Sequence, residues 1–138
     1  MARLVSINMS IKKGMQKKPV TEGMLIEDVG LQGDAHAGSG NRQVSILSIE
    51  DIKTANLSPG DFAENLTVAG IDLKDISVGT RIKIGDCAVL EVSQIGKECH
   101  TRCAIYKKVG DCIMPKHGVF AKIIIGGVIH AGDKIVLC

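Results

Sequence analysis

Apolar and polar residues alternate over short stretches of this chain, and glycine separates those stretches. The stretch Arg81-Ile82-Lys83-Ile84 has the two-residue period of a strand with one buried face. Gly85-Asp86 follows it directly, which predicts a tight turn and a hairpin with the next stretch. Seven segments share this character and are predicted to be strands: 3–8, 43–47, 65–68, 80–84, 88–95, 119–125 and 134–137.

Glycine-aspartate dipeptides mark turns along the whole sequence. They begin at Gly33, Gly60, Gly85, Gly110 and Gly132. The segments 76–84 and 129–137 also echo each other, with Ile, Gly, a basic residue and a final aliphatic residue at matching places. Nine residues are too few for a repeat protein, but they indicate two equivalent strand entries into one closed sheet.

Only two segments have helical character. Ser48 and Asp51 form a capping signature for a helix over 49–56, and apolar residues keep helical spacing over 102–109. No linker or break in composition divides the chain, so a single domain over 1–138 is expected. The predicted fold class is mainly β, with a closed, barrel-like sheet and small helical inserts.

The amino-acid composition excludes some classes of binding partner. The chain of 138 residues has 17 Lys and Arg against 15 Asp and Glu, a net charge of +2, and three aromatic residues (one Tyr, two Phe). It therefore has neither the strong positive field nor the stacking platform of a nucleic-acid-binding protein. No apolar run approaches the ~20 residues of a membrane span. Neither nucleic acid nor membrane is expected as a partner.

Cysteine usage and the N-terminal segment bear on localisation. The chain has five cysteines, an odd number, and no apolar signal segment, so reduced thiols in the cytoplasm are expected. The first 21 residues are basic, as in a matrix-targeting presequence, but Gly14 and Pro19 would interrupt an amphipathic helix. We interpret them as a first strand and a lysine-rich loop. At this length the core needs no metal for folding.

The densest group of chemically active residues surrounds Cys99. Lys97, His100 and Arg102 lie beside it, between a predicted strand and a predicted helix, and each of these features favours the thiolate. A thiolate attacks sulfur, carries a persulfide or binds a soft metal, so Cys99 is the candidate nucleophile or metal ligand. A small core residue is the alternative. Cys87 and Cys138 fall in strand patterns and are expected in the core or at the chain end.

A zinc site is a further alternative for the same region. Three thiolates and an imidazole would make a tetrahedral set from Cys99, Cys103, Cys112 and His117. Their spacing is poor, because zinc fingers and ribbons place two closely spaced ligands on each of two turns. Structural zinc is therefore not favoured.

A glycine loop at 33–38 provides a second candidate site. Its backbone amides, with His36 and Arg42 as cationic donors, suit an anion such as phosphate. Neither a P-loop nor a dinucleotide-binding motif is present, and a solvated turn ordered by Asp34 is an equal alternative. In the turn at 58–68, Asp61 and Glu64 are either a general-base pair or residues that order the turn, and ordering is favoured.

These stretches, in this order, resemble a stand-alone MOSC domain, the domain found at the C-terminus of molybdenum cofactor sulfurases. The motifs that carry the resemblance are Ser6-Ile7-Asn8-Met9-Ser10, Gly33-Asp34-Ala35-His36-Ala37-Gly38, Arg42-Gln43-Val44-Ser45, Gly60-Asp61-Phe62-Ala63-Glu64-Asn65-Leu66, Gly96-Lys97-Glu98-Cys99 and Val119-Phe120-Ala121. The resemblance covers nearly the whole chain. It implies a MOSC-type β-barrel and a role in molybdenum cofactor metabolism.

The resemblance also implies a set of site residues. The family's characteristic cysteine falls on Cys99, as nucleophile or molybdenum ligand. Residues lining the cofactor pocket would be His36, Arg42, Asp61, Glu64, Asn65 and Lys97. The expected cofactor is molybdopterin-bound molybdenum, an anion through its phosphate that carries soft dithiolene sulfurs. No pyridoxal phosphate is expected, because the desulfurase domain of the full-length sulfurases is absent from this sequence.

Two functions are compatible with this site. In the first, the domain binds the pterin cofactor or carries sulfur on Cys99, supplied by a cysteine desulfurase and delivered to cofactor-biosynthesis or molybdoenzyme partners. In the second, molybdenum held by Cys99 reduces N-hydroxylated compounds, as in some larger MOSC-containing reductases, with electrons from separate partners. The carrier is favoured, because no flavin or iron-sulfur domain is encoded in this sequence.

Overall fold

The computed structural model describes residues 2–12, 16–38, 40–95 and 118–137. They form eleven strands, one α-helix and two short 3₁₀ helices. The strands are β1 (Arg3–Met9), β2 (Lys18–Val20), β3 (Glu22–Ile26), β4 (Gly30–Leu31), β5 (Val44–Ser48), β6 (Leu66–Ala69), β7 (Arg81–Ile84), β8 (Ala88–Ile95), β9 (Val119–Ile125), β10 (Gly127–His130) and β11 (Ile135–Leu137). The helix α1 spans Ile49–Thr54, and the 3₁₀ helices span Gly40–Arg42 and Leu73–Asp75.

The strands form two sheets. The larger has eight strands in the order β11-β7-β8-β9-β5-β6-β1-β2, and the smaller has three in the order β10-β3-β4. All pairs are antiparallel except β5 and β6. The predicted mainly β class is therefore confirmed.

The prediction that the sheet closes into a barrel is wrong for the described strands. The larger sheet has two ends, β11 and β2. A single bridge joins Arg3 to Lys134, beside a hydrogen bond of 2.8 Å from the Leu4 amide to the Asp133 carbonyl. That contact does not extend into a ladder, because the second half of β1 pairs with β2 instead, through Ile7 opposite Val20.

Segments with clear periodicity or a capping signal appear as predicted. All seven predicted strands are present within two residues of their predicted bounds, and β7 and β8 form the predicted hairpin. The Ser48 hydroxyl accepts the Asp51 amide at 3.4 Å and caps α1, which ends two residues earlier than predicted. The predicted helix over 102–109 lies outside the described residues. The short strands β2, β3, β4 and β10 were not predicted.

The internal echo corresponds to two neighbouring strands. β7 and β11 pair antiparallel, with Ile84 opposite Ile135. Each is entered through the same turn, whose glycine has a positive φ: 96° at Gly79 and 98° at Gly132. The prediction of two equivalent strand entries into one sheet is confirmed, although that sheet is open.

Apolar side chains pack on both faces of the larger sheet. The main cluster holds alternate residues of its strands, among them Leu4, Ile46, Leu66 and Leu90. A smaller cluster lies on the other face, where Ile52 of α1 and Phe62 of the 57–63 loop pack with Leu47 and Phe120 of the sheet. None of the helices in the described part of the chain is long and apolar enough to cross a membrane.

The expectation that Cys87 belongs to the core is wrong. It lies in the turn between β7 and β8, and its side chain is exposed. The apolar pattern resumes only at Ala88, which is buried. Cys138 lies outside the described residues.

Candidate functional site

A buried ammonium group lies at the centre of the glycine loop. Lys17 lies in the lysine-rich segment, yet its side chain is fully buried together with that of Asp34. Its Nζ lies 2.8 Å from Asp34 Oδ1, 3.2 Å from Ser10 Oγ and 3.1 Å from His36 Nδ1. Because a buried charge is tolerated only when it is paired and hydrogen-bonded, these contacts explain why this lysine is inside.

Asp34 connects this lysine with the loop backbone. Its Oδ1 accepts the Ser10 amide at 3.1 Å, and its Oδ2 accepts the His36 amide at 3.0 Å. Burial alone would raise the pKa of this carboxyl, but the hydrogen bonds from Lys17 and from the His36 backbone amide outweigh burial and hold the pKa well below its usual value. Asp34 is therefore ionised, and it both orders the loop and balances the lysine.

His36 lies between this buried pair and solvent. About 31% of its side chain is exposed, and its Nδ1 is the atom that faces Lys17. Arg42 is exposed at the end of a 3₁₀ helix, with its guanidinium carbon 6.0 Å from the centre of the Phe120 ring. Both predicted cationic donors thus reach solvent. Within the described residues, no hydrogen bond or ion pair joins them to each other.

Glu64 is buried beside the turn that contains Gly60. Its Oε2 accepts the Gly60 amide at 3.0 Å and the Thr67 hydroxyl at 2.7 Å, whereas its Oε1 has no partner among the described residues. Burial raises the pKa of this carboxyl, and its hydrogen bonds, among them those from Gly60 and Thr67, offset the effect only in part. The side chain closes the loop around Gly60 from within.

Asn65 connects three strands. Its Oδ1 accepts the Ser45 amide at 3.0 Å and its Nδ2 donates to the Asn8 carbonyl at 3.3 Å. The Asn8 amide in turn donates to the Asn65 carbonyl at 2.7 Å. With no exposed surface, Asn65 holds β1, β5 and the start of β6 in register.

Asp61 orders the turn that precedes Glu64. Its Oδ2 accepts the amide of Ser58, three residues earlier in the chain, at 2.9 Å. The Lys17 amide donates to the Gly60 carbonyl at 2.8 Å, which joins this turn to the buried lysine. Glu64 and Asn65 therefore belong to the same polar network as His36, through Gly60, Lys17 and Asp34, whereas Asp61 orders the turn that contains Gly60.

The predicted cysteine site lies outside the described residues, together with Lys97, Cys99, Cys103, Cys112 and His117. Within the described ranges, no group of three or more His, Cys, Asp or Glu residues could hold a metal ion. A cavity of about 650 Å³ lies elsewhere, where β5 and β6 end, and Glu50, Asp51 and Asp72 are among its lining residues. Three carboxylates do not suit an anionic ligand, so the loop around His36 is the better candidate site.

Lys17 is the residue of this site that the sequence did not reveal. It lies in a basic run, where a solvated side chain is the ordinary expectation. Its partners are 7, 17 and 19 residues away along the chain, and no local pattern joins them. The motif Ser6–Ser10, which is part of the resemblance to the MOSC domain, is the signal in the sequence that β1 contributes to the site.

Comparison with protein families identifies the family of this domain. A model of the MOSC domain matches residues 33–136, from the glycine loop to the last strand. The chain therefore belongs to the MOSC domain family, which is associated with the molybdenum cofactor. The resemblance found in the sequence motifs is confirmed.

Solved structures share the fold. The YuaD protein from Bacillus subtilis is similar with a TM-score of 0.81 and 18% identity, over 99% of this chain and 96% of that one. YiiM from Geobacillus stearothermophilus has a TM-score of 0.78 and 22% identity, over 100% and 75%. YiiM from Escherichia coli has a TM-score of 0.70 and 20% identity, over 100% and 70%. A comparison with curated proteins found no match.

Proposed function

We propose that this domain binds the pterin cofactor of molybdenum, or carries sulfur as a persulfide on Cys99 for delivery to that cofactor. The single observation that carries the proposal is the ordered loop at 33–38 in a member of the MOSC family. There, a fully buried ion pair of Lys17 and Asp34 supports His36, which faces solvent. Such a loop supplies backbone and side-chain donors to an anion.

The residues present fit the two ends of the cofactor. His36 and the exposed Arg42 are donors suited to its phosphate, and Cys99 is a soft ligand suited to its metal end. When bound, the cofactor would supply a metal that accepts sulfur. Lys97, two residues before Cys99 in the chain, is assigned with His36 and Arg42 to the phosphate of the cofactor.

Three of the residues assigned to the site support it without contacting the ligand. The side chains of Glu64 and Asn65 are fully buried, and that of Asp61 is bound to the Ser58 amide. We assign them to holding the loop and the strands that carry it, without direct contact with the cofactor. Their substitution would then weaken binding through the loop's shape.

The test is native mass spectrometry with metal analysis, on protein made in a molybdenum-replete host. Wild type should retain a pterin mass or an increment of one sulfur, and Cys99→Ser should lose it, because serine keeps the size but removes the soft sulfur. Cys87→Ser is the matched control, since that thiol is exposed in a turn away from the loop. His36→Ala and Arg42→Ala should weaken cofactor retention about tenfold each and leave Cys99 alkylation unchanged.

Three outcomes would contradict the proposal. The first is wild type without pterin or added sulfur, and the second is full retention by Cys99→Ser. The third is stoichiometric zinc that all variants but Cys99→Ser retain, which would restore the zinc interpretation of Cys99, Cys103, Cys112 and His117.

A further inference from the structure

The protons on Lys17 are matched one to one with acceptors. An ammonium group has three donors and no acceptor. Asp34 Oδ1, at 2.8 Å, takes one of them. Ser10 Oγ, at 3.2 Å, takes the second, because its own hydroxyl proton goes to the Lys12 carbonyl at 3.0 Å. The third donor is left for His36 Nδ1, at 3.1 Å.

This pairing fixes where the proton of the His36 ring lies. A nitrogen that accepts a hydrogen bond has its lone pair free, so in the neutral ring the proton is on Nε2. The opposite arrangement would have Nδ1 donate to Asp34 Oδ2, but those atoms are 3.7 Å apart, which is too long. It would also direct an N–H group towards the buried ammonium.

The Nε2 atom has access to solvent. No hydrogen bond within the described residues involves it, and the single buried polar side-chain atom without a partner in that part of the chain is Glu64 Oε1. Since the side chain is about 31% exposed, the Nε2–H group is the part of the ring that a ligand reaches.

We propose that Lys17 is a positioning residue that holds His36 as the Nε2–H tautomer, so that His36 offers a hydrogen-bond donor to an oxyanion. The one lone pair of the ring faces Lys17, so His36 does not act as a metal ligand. The identity of the oxyanion, the cofactor's phosphate, rests on the proposed function; the state of the ring does not.

The first experiment is a long-range ¹H–¹⁵N correlation spectrum of the histidine rings at pH 8, where an ordinary histidine is neutral. The His36 signals are assigned by their loss in His36→Gln. The expected pattern is that of an Nε2–H ring. An Nδ1–H ring, or an average of the two tautomers, would overturn the proposal.

Lys17→Met tests the cause, because methionine keeps an unbranched side chain but has no donor. The His36 pattern should change to Nδ1–H or to an average, since Asp34 Oδ2 is then the nearest partner for Nδ1. Lys18→Met is the matched control, being the adjacent but exposed lysine, and should leave the pattern unchanged. If Lys17→Met retains the wild-type pattern, Lys17 does not position the ring.

A second pair of variants does not depend on the folding of Lys17→Met. The amide nitrogen of glutamine reaches the place of Nε2, whereas that of asparagine reaches the place of Nδ1. With inorganic phosphate as the probe, His36→Gln should bind within about threefold of wild type and His36→Asn about tenfold more weakly. The reverse order would overturn the proposal.

The two proposals fail in different ways. An Nε2–H ring in a wild type that does not bind phosphate supports the positioning role and contradicts the phosphate assignment. An Nδ1–H ring contradicts the positioning role even when the protein retains a pterin.

Discussion

The two faces of strands β1, β5 and β6 are equally buried but chemically opposite. The face towards the main core is apolar, with Leu4, Ile7, Ile46, Leu66 and Val68. The other face is polar next to the candidate site, with Ser6, Asn8, Ser45, Asn65 and Thr67, and it also carries Leu47, which packs against α1. The first excludes water through packing alone, whereas the second depends on pairing each donor with an acceptor.

That difference determines which face of the sheet tolerates amino-acid substitution. An apolar side chain can be replaced by another of similar volume at small cost. On the polar face, the side-chain Nδ2 of Asn8 donates to Thr67 Oγ1 at 3.0 Å and to the Glu64 carbonyl at 3.1 Å, so loss of one group leaves another buried group unpaired. The candidate site lies at the end of this polar face.

The largest effect is expected for Gly60→Ala, where the polar face meets Lys17. Gly60 has a φ of 91°, and a Cβ there would collide with the Lys17 carbonyl oxygen. Backbone strain and the collision together should lower the free energy of unfolding by about 4 kcal/mol in equilibrium urea denaturation.

Gly79→Ala is the control for backbone strain alone. Gly79 has nearly the same φ, 96°, but nothing lies within 4 Å of its Cβ position. Its substitution should cost about 1 kcal/mol. Equal losses for the two variants would show that the close approach to Lys17 contributes nothing.

An intermediate loss of stability is expected when a polar residue of one face is made apolar, or an apolar residue of the other face is made polar. Thr67→Val keeps the side-chain shape but removes the hydroxyl that Asn8 and Glu64 share, and should cost about 2 kcal/mol. Val68→Thr buries a hydroxyl in the apolar core and should cost about as much.

Thr67→Ser separates the hydroxyl from the methyl group. It retains both hydrogen bonds and should lose no more than about 1 kcal/mol in the same urea measurement. A larger loss in Thr67→Ser than in Thr67→Val would mean that packing, not pairing, stabilises this face.

The same contrast explains what could be predicted from the sequence. The strands β7, β8 and β9 follow from local alternation, and α1 follows from the capping pair Ser48 and Asp51. His36, Arg42 and Glu64 were recognised through motifs. The burial of Lys17 and the open end of the sheet were not, because they depend on contacts between distant segments.

The smallest effect is expected in the pH dependence of stability, where Glu64 and Asp34 act in opposite directions. Burial raises the pKa of Glu64 above its ordinary 4.5, so the folded protein binds this proton more tightly than the unfolded chain does. Its contribution is complete below pH 4.5 and is lost as the pH rises through the folded pKa. The pKa of Asp34 is lowered from 3.8, so its contribution is present above that pH and is lost in acid.

Glu64→Gln removes the first of these titrations and leaves the second. As the pH rises above 4.5, the stability of wild type measured by urea denaturation should fall relative to that of Glu64→Gln. Below pH 3.8 both proteins should lose stability together, because both retain Asp34. Glu27→Gln, which changes an exposed carboxyl, should follow wild type throughout. If Glu64→Gln follows wild type as well, Glu64 is ionised in the folded protein at no cost in stability, and its Oε1 has a hydrogen-bond partner in solution. Every buried group of the polar face would then be paired, just as the side chains of the apolar face are closely packed.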